Sequence, residues 1–193
     1  MESPALLPVG AAETVISPPL GTELAGYFSP RVSDGVISDL MAKAIVVGEG
    51  AGRIALIACD LLAITEEISV PVRARVAAET GISGDRVMIC ATHTHTGPEL
   101  RANRPIKRNE EYMAGLPDRI ADTAIAAAAK PRPACICLGR DHEEGLAFNR
   151  RFRYDDASEQ FGMRGDNVVG VAGPTDPDLG VIAFRESPQA MPF

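Results

Sequence analysis

Val87-Met88-Ile89-Cys90-Ala91-Thr92-His93-Thr94-His95-Thr96-Gly97-Pro98 is the stretch that orders the rest of the chain. An apolar run passes directly into alternating threonine and histidine, and a Gly-Pro pair then turns the backbone. Short apolar runs bounded by turn residues read as buried strands, so Arg86–Cys90 is predicted to be one. Polar groups placed directly after such a strand are costly unless they find partners or carry chemistry.

Working outward, Glu66–Thr80 has Ile68, Val72, Val76 and Ala77 at helical spacing, and Gly81 supplies a stop. Pro71 is expected near the first turn, where a missing N–H is tolerated. Further back, Met41–Val47 and Arg53–Cys59 are apolar runs separated by Gly48-Glu49-Gly50-Ala51-Gly52, a hairpin signal. A first strand is expected near Leu7–Ile16. Downstream, Asn109–Lys130 carries Met113, Leu116, Ile120, Ala124 and Ile125 on one stripe and reads as a second helix, kinked or restarted at Pro117. Pro133–Arg140 and Leu146–Phe152 read as strands, Tyr154–Pro177 as a polar loop, and Gly180–Arg185 as a last strand. Helices alternating with strands in the middle, and hairpins at the ends, predict an α/β domain with a mixed β-sheet and flanking helices. Ligands in such sheets bind beyond the carboxyl ends of strands. Asp60 and the His93/His95 pair both stand at such ends.

Composition narrows the function. The 193 residues match the usual span of one domain, about 100–200 residues, so positions 1–193 are read as a single domain or part of a larger one. Net charge is −7, which opposes non-specific binding to nucleic acid or to anionic membranes. No apolar run is long enough for a transmembrane helix. Met1-Glu2-Ser3-Pro4 lacks the basic start of a secretory signal, so a cytoplasmic location is expected. Cys59, Cys90, Cys135 and Cys137 sit in apolar runs with no Cys-x-x-Cys pair, which reads as buried free thiols in a reducing compartment.

His93 and His95 carry the strongest chemical signal. On an extended backbone residues i and i+2 share a side, so two imidazoles converge on one point. Neutral imidazole is a common zinc ligand, and Thr92, Thr94 and Thr96 are placed to orient the rings. The bland alternative is a pair of histidines bonded to backbone at a strand end. Two histidines alone fall short of the three protein ligands of a catalytic zinc. His142, beside Glu143 and Glu144, is a candidate third ligand or a solvated turn histidine. Asp60 is a weaker candidate. Asn149-Arg150-Arg151-Phe152-Arg153 is either a charged strand edge or a guanidinium fork for an anionic or carbonyl-bearing substrate. Arg101–Arg108, containing Asn103-Arg104-Pro105, reads as a loop that would line a site mouth or remain solvated.

These motifs resemble the neutral (non-lysosomal) ceramidase family. Ile16-Ser17-Pro18-Pro19-Leu20-Gly21, Leu24-Ala25-Gly26-Tyr27, Asp39-Leu40-Met41-Ala42-Lys43-Ala44 and Ala58-Cys59-Asp60-Leu61 follow the family's order. Ala91–Pro98 is similar to its Ala-Thr-His-Thr-His-Ser-Gly-Pro element, with Thr96 at the serine. Asn149-Arg150 resembles a later Asn-Arg element, although Arg151-Phe152 replaces the usual Ser-Pro, and Asp176-Pro177-Asp178-Leu179-Gly180 resembles the approach to the next strand. The resemblance implies the N-terminal part of a zinc-dependent catalytic domain that hydrolyses the amide of ceramide to sphingosine and fatty acid. It implies His93 as a zinc ligand, His95 as the acid/base or oxyanion partner and Arg150 as a polar contact. It places the remaining ligands (a histidine, a glutamate and a tyrosine) beyond Phe193, so the chain alone is expected to need a C-terminal portion or a second copy for activity. Two alternatives stay open: a non-catalytic remnant that binds a partner or lipid-like ligand, and a metal hydrolase of a smaller, soluble amide or ester.

Overall fold

The computed structural model describes residues 6–102 and 105–192. Met1–Pro4, Asn103, Arg104 and Phe193, read above, lie outside the described residues. The chain forms two compact units, one of Met1–Cys135 with Phe184–Phe193 and one of Ile136–Ala183.

The first unit is built on a sheet that opens with strands β1 (Leu7–Val15), β2 (Met41–Val47), β3 (Ile54–Cys59) and β4 (Val87–Ala91). Two further strands, β5 (Arg132–His142) and β9 (Asp178–Arg185), complete six in the order β4-β3-β2-β1-β5-β9. β1, β2 and β3 pair antiparallel, while β3 and β4 are parallel, so the sheet is mixed. The helices are α1 (Glu66–Thr80) and α2 (Glu110–Ala129). α1 is the crossover that a parallel β3–β4 pair requires.

Local chemistry marks the start of both helices and the stop of α1. Glu66 and Glu67 lie in the first turn of α1, where negative charge suits the helix dipole. Gly81 closes it in the left-handed conformation at φ 73°, its N–H donating to Ala77 O. Asn109 caps α2, its Oδ1 accepting from Tyr112 N at 3.0 Å. Pro71 lies deeper than expected, in the second turn of α1, on an exposed position. α2 continues through Pro117 as a single helix.

The core lies between one sheet face and the helices. Ala42, Ala44, Ala55, Ile57 and Cys59 meet Ile68, Val72, Val76, Leu116, Ile120 and Ala124. Small residues on the strands let α2 approach closely: a methyl group at Gly10 of β1 would fall 1.8 Å from the Ala127 carbonyl oxygen. Burial pushes the Cys59 thiol pKa up to about 12. Two expectations are corrected here. β4 is an edge strand whose burial alternates, leaving Met88 and Cys90 exposed, because only one of its faces meets a helix. Cys90 is therefore not a buried thiol, and Cys137 is only half-buried.

The second unit contains a three-stranded sheet in the order β7-β6-β8, formed by β6 (Arg151–Tyr154), β7 (Glu159–Phe161) and β8 (Val168–Val171). Its first strand starts at Arg151, not Leu146, and β7 and β8 occupy the stretch read as loop. Tyr154 is its one buried hydrophobic among the described residues. The Tyr154 hydroxyl donates to Gly162 O at 3.2 Å and accepts from Arg164 N at 2.9 Å, which ties the sheet to its connecting turn. Among the described residues no helix is long and apolar enough to cross a membrane.

Candidate functional site

The parallel pairing of β3 and β4 sets Cys59 opposite Ala91, so the chain leaves both strands at the same edge of the sheet. Asp60 and Thr92 emerge side by side there, and Thr92 Oγ1 donates to Asp60 Oδ1 at 3.1 Å. Asp60 Oδ2 accepts from Met41 N at 2.9 Å. The Asp60 carboxylate is thus a brace between β2, β3 and the histidine segment. Both of its oxygens are used within the fold.

His93 and His95 lie just past the end of β4, and their rings come together by a route other than strand alternation. His93 has φ 64°, in the left-handed region that a non-glycine residue enters only at a cost. The reversal at His93 replaces the extended backbone expected from the sequence. It still brings the two imidazoles to a centroid separation of 5.1 Å with planes at 75°. His93 Nδ1 stands 2.8 Å from the Leu62 carbonyl oxygen. A carbonyl only accepts, so Nδ1 carries the proton and the neutral ring presents the Nε2 lone pair. A ring tied to backbone through one nitrogen has its orientation and tautomer fixed.

The threonines do not orient the rings. Thr92 bonds Asp60, and Thr94 Oγ1 and Thr96 Oγ1 bond each other at 2.9 Å, which stabilises the bend. His95 packs instead on Gly26 and Tyr27, the Tyr27 ring meeting it edge-on with centroids 6.2 Å apart. The Arg31 guanidinium stacks over the Tyr27 ring, 4.3 Å from its centroid. A groove of about 350 Å³ opens beside Thr96, between Ser17, Leu20, Leu24, Arg31, Val36 and Leu40.

Behind the histidines, Glu99 is fully buried and accepts from Leu100 N, Arg101 N and the Arg101 guanidinium, which reaches both carboxylate oxygens at 2.7 Å. Burial alone would raise the Glu99 pKa, but these charge-assisted bonds win and hold it below the usual carboxylate value.

Gly26, Tyr27 and Glu99 were not singled out as working residues by sequence. Only the Leu24–Tyr27 motif, at a sequence separation that hides its proximity to His95, carried a signal.

The other expected site residues fall in the second unit. Arg150 precedes β6 with its guanidinium 5.2 Å from the Phe161 ring centroid. His142 ends β5, its Nδ1 3.4 Å from Asp178 Oδ1 and its Nε2 3.6 Å from Glu144 Oε1. It is exposed at the strand end, with acidic neighbours rather than other imidazoles beside it.

For zinc, the residues present fit at one coordination position, His93 Nε2. Among the described residues no cluster of three His, Cys, Asp or Glu side chains is placed to hold a metal.

The fold places the chain beside known structures. Neutral ceramidase from Pseudomonas aeruginosa superposes with a TM-score of 0.73 at 22% identity, over 100% of this chain and 31% of that one. A ceramidase complexed with C2 gives a TM-score of 0.70 at 23% identity, over 95% of this chain and 29% of that one. No protein-family profile and no curated protein matches the sequence. The chain therefore has the α/β fold of part of a neutral ceramidase, in agreement with the motif resemblance, and spans about three-tenths of the ceramidase chains it matches.

Proposed function

We propose that this chain is the histidine-bearing part of a ceramidase-like hydrolase that cleaves N-acyl amides to a fatty acid and an amine. The observation that carries the reading is the preparation of His93: its Nδ1 proton is committed to Leu62, leaving Nε2 as a ligand nitrogen at a sheet edge, beside a second imidazole. On this reading His93 holds zinc together with ligands contributed from outside these 193 residues. A zinc ion supplies Lewis acidity toward the acyl carbonyl and a bound water of lowered pKa.

The chain's own groups do the rest. His95 takes the proton of the attacking water and returns it to the departing amine, the usual work of an imidazole near neutral pH. The groove beside Thr96, with Leu20, Leu24, Val36 and Leu40 on its walls, receives the apolar part of the substrate. Arg150 supplies a polar contact, by analogy with the Asn-Arg element alone.

Elemental mass spectrometry after dialysis against trace zinc tests the metal role. We expect zinc binding well below one tight ion per chain, and loss of what remains in His93→Ala. Equal zinc in the two proteins would remove His93 from the role. Hydrolysis is tested on long- and short-chain N-acyl amines with zinc added to the protein. The long chain should be preferred. Equal rates would favour a hydrolase of small soluble amides or esters, and no turnover with added zinc would favour a non-catalytic binding domain.

A further inference from the structure

Segments 23–25 and 97–99 are locked in register. Ala25 N–H donates to Gly97 O at 2.9 Å and Glu99 N–H to Glu23 O at 3.0 Å, while Leu24 and Pro98 pair as an antiparallel bridge. Ala25, Gly97, Pro98 and Glu99 are buried, so this register has little freedom to slip. Its effect is to lay Gly26 directly against the imidazole of His95. Gly26 has φ 84°, and a methyl group on it would lie 2.3 Å from His95 Nδ1 and 2.7 Å from both Cε1 and Cγ. Ordinary carbon contacts are about 3.5–4.0 Å, so only hydrogen fits. The three atoms named form the Nδ1 side of the ring. Tyr27 meets the same ring in a T-shaped contact, with centroids 6.2 Å apart and planes at 86°.

We propose that Gly26 is a positioning residue that decides which nitrogen of His95 does the work: backbone packed against the Nδ1 side leaves Nε2 as the nitrogen open to a substrate. Two independent requirements select glycine. The left-handed φ disfavours any side chain, and the absent Cβ is the space the ring occupies. The inference rests on the acid/base reading of His95 given above, but its test uses neither turnover nor metal.

The chain has three histidines, so their ring signals can be assigned separately by NMR. In the wild type, a cross-relaxation peak is expected between the Gly26 Hα protons and His95 Hε1. A soluble nitroxide should relax His95 Hδ2, beside Nε2, more than Hε1. Gly26→Ala should displace the His95 ring resonances while leaving those of His142 in place. Gly21→Ala is the control: Gly21 has φ 85° with nothing within 4 Å of an added methyl, so it carries the backbone penalty without the contact. Absence of the wild-type cross-peak, or stronger relaxation at Hε1, overturns the proposal. So does a His95 spectrum moved no further by Gly26→Ala than by Gly21→Ala. Should Gly26→Ala fail to fold, the two wild-type measurements decide alone. A chain that never cleaves an amide would still pass or fail all of them.

Discussion

Gly10→Ala is expected to destabilise the protein by about 3 kcal/mol, read as a lower urea midpoint at unchanged m-value. The added methyl would sit 1.8 Å from Ala127 O and 2.8 Å from Ala127 C. Both are backbone atoms of α2, so no side-chain rotation relieves the overlap. β1 lies inside the sheet between β2 and β5, so it cannot retreat without disturbing both ladders. Intrinsic preference argues the other way, since alanine costs roughly 0.5–1 kcal/mol less than glycine in regular structure. The sign of the result therefore isolates the strand–helix approach. Gly115→Ala in α2 supplies the contrast, because nothing lies within 4 Å of its added methyl. It should stabilise by about 1 kcal/mol. A stabilised Gly10→Ala would mean that β1 and α2 are farther apart than described.

Glu99→Ala is expected to cost about 3 kcal/mol, because it leaves Arg101 and two backbone N–H groups without their buried acceptor. Glu99→Gln should cost less, about 1.5–2 kcal/mol, since the shape and one acceptor oxygen survive. The pH dependence has a definite sign. A carboxyl whose folded pKa lies below its unfolded value stabilises the fold above the ordinary carboxylate range, and that contribution is lost as pH falls through the folded value. Acid unfolding followed by circular dichroism should consequently be less steep in Glu99→Gln than in the wild type. Identical acid limbs would show that the Glu99–Arg101 pair carries no such linkage. A loosened Glu99 would also relax its backbone bond to Glu23, and with it the register that brings Gly26 to His95.

Local chemistry made much of the first unit legible. Residues 66–80 form a helix because apolar spacing, acidic first turn and terminal glycine agree, and in α2 the Asn109 cap, the acidic first turn and the apolar stripe agree in the same way, without a terminal glycine. The glycine-rich turn between β2 and β3 was equally plain, with Gly48 and Gly50 both at positive φ. β4 was placed correctly, but its exposure was not, because an apolar run does not say whether both faces will be covered. In the second unit Val168-Val169-Gly170-Val171 is a strand set among polar, glycine-rich neighbours, too short for periodicity to stand out. Leu146–Arg150 has strand composition but finds no partner strand. At the site, the paired histidines could be read from the motif. The left-handed turn at His93, the Leu62 carbonyl on its ring and the Gly26 contact arise from chain reversals between distant segments, which no spacing encodes.

Tyr154 as the sole buried hydrophobic among the described residues of the second unit has a consequence for how the molecule breathes. Elements with few buried apolar contacts open at a free energy far below that of global unfolding. Amide hydrogens of β6, β7 and β8 should therefore exchange with solvent deuterium through local opening, while those of β2, β3 and α2 wait for the whole first unit to unfold. A brief exposure to protease should cut first around Arg164, in the exposed turn that the Tyr154 hydroxyl holds, and leave the histidine-bearing unit intact.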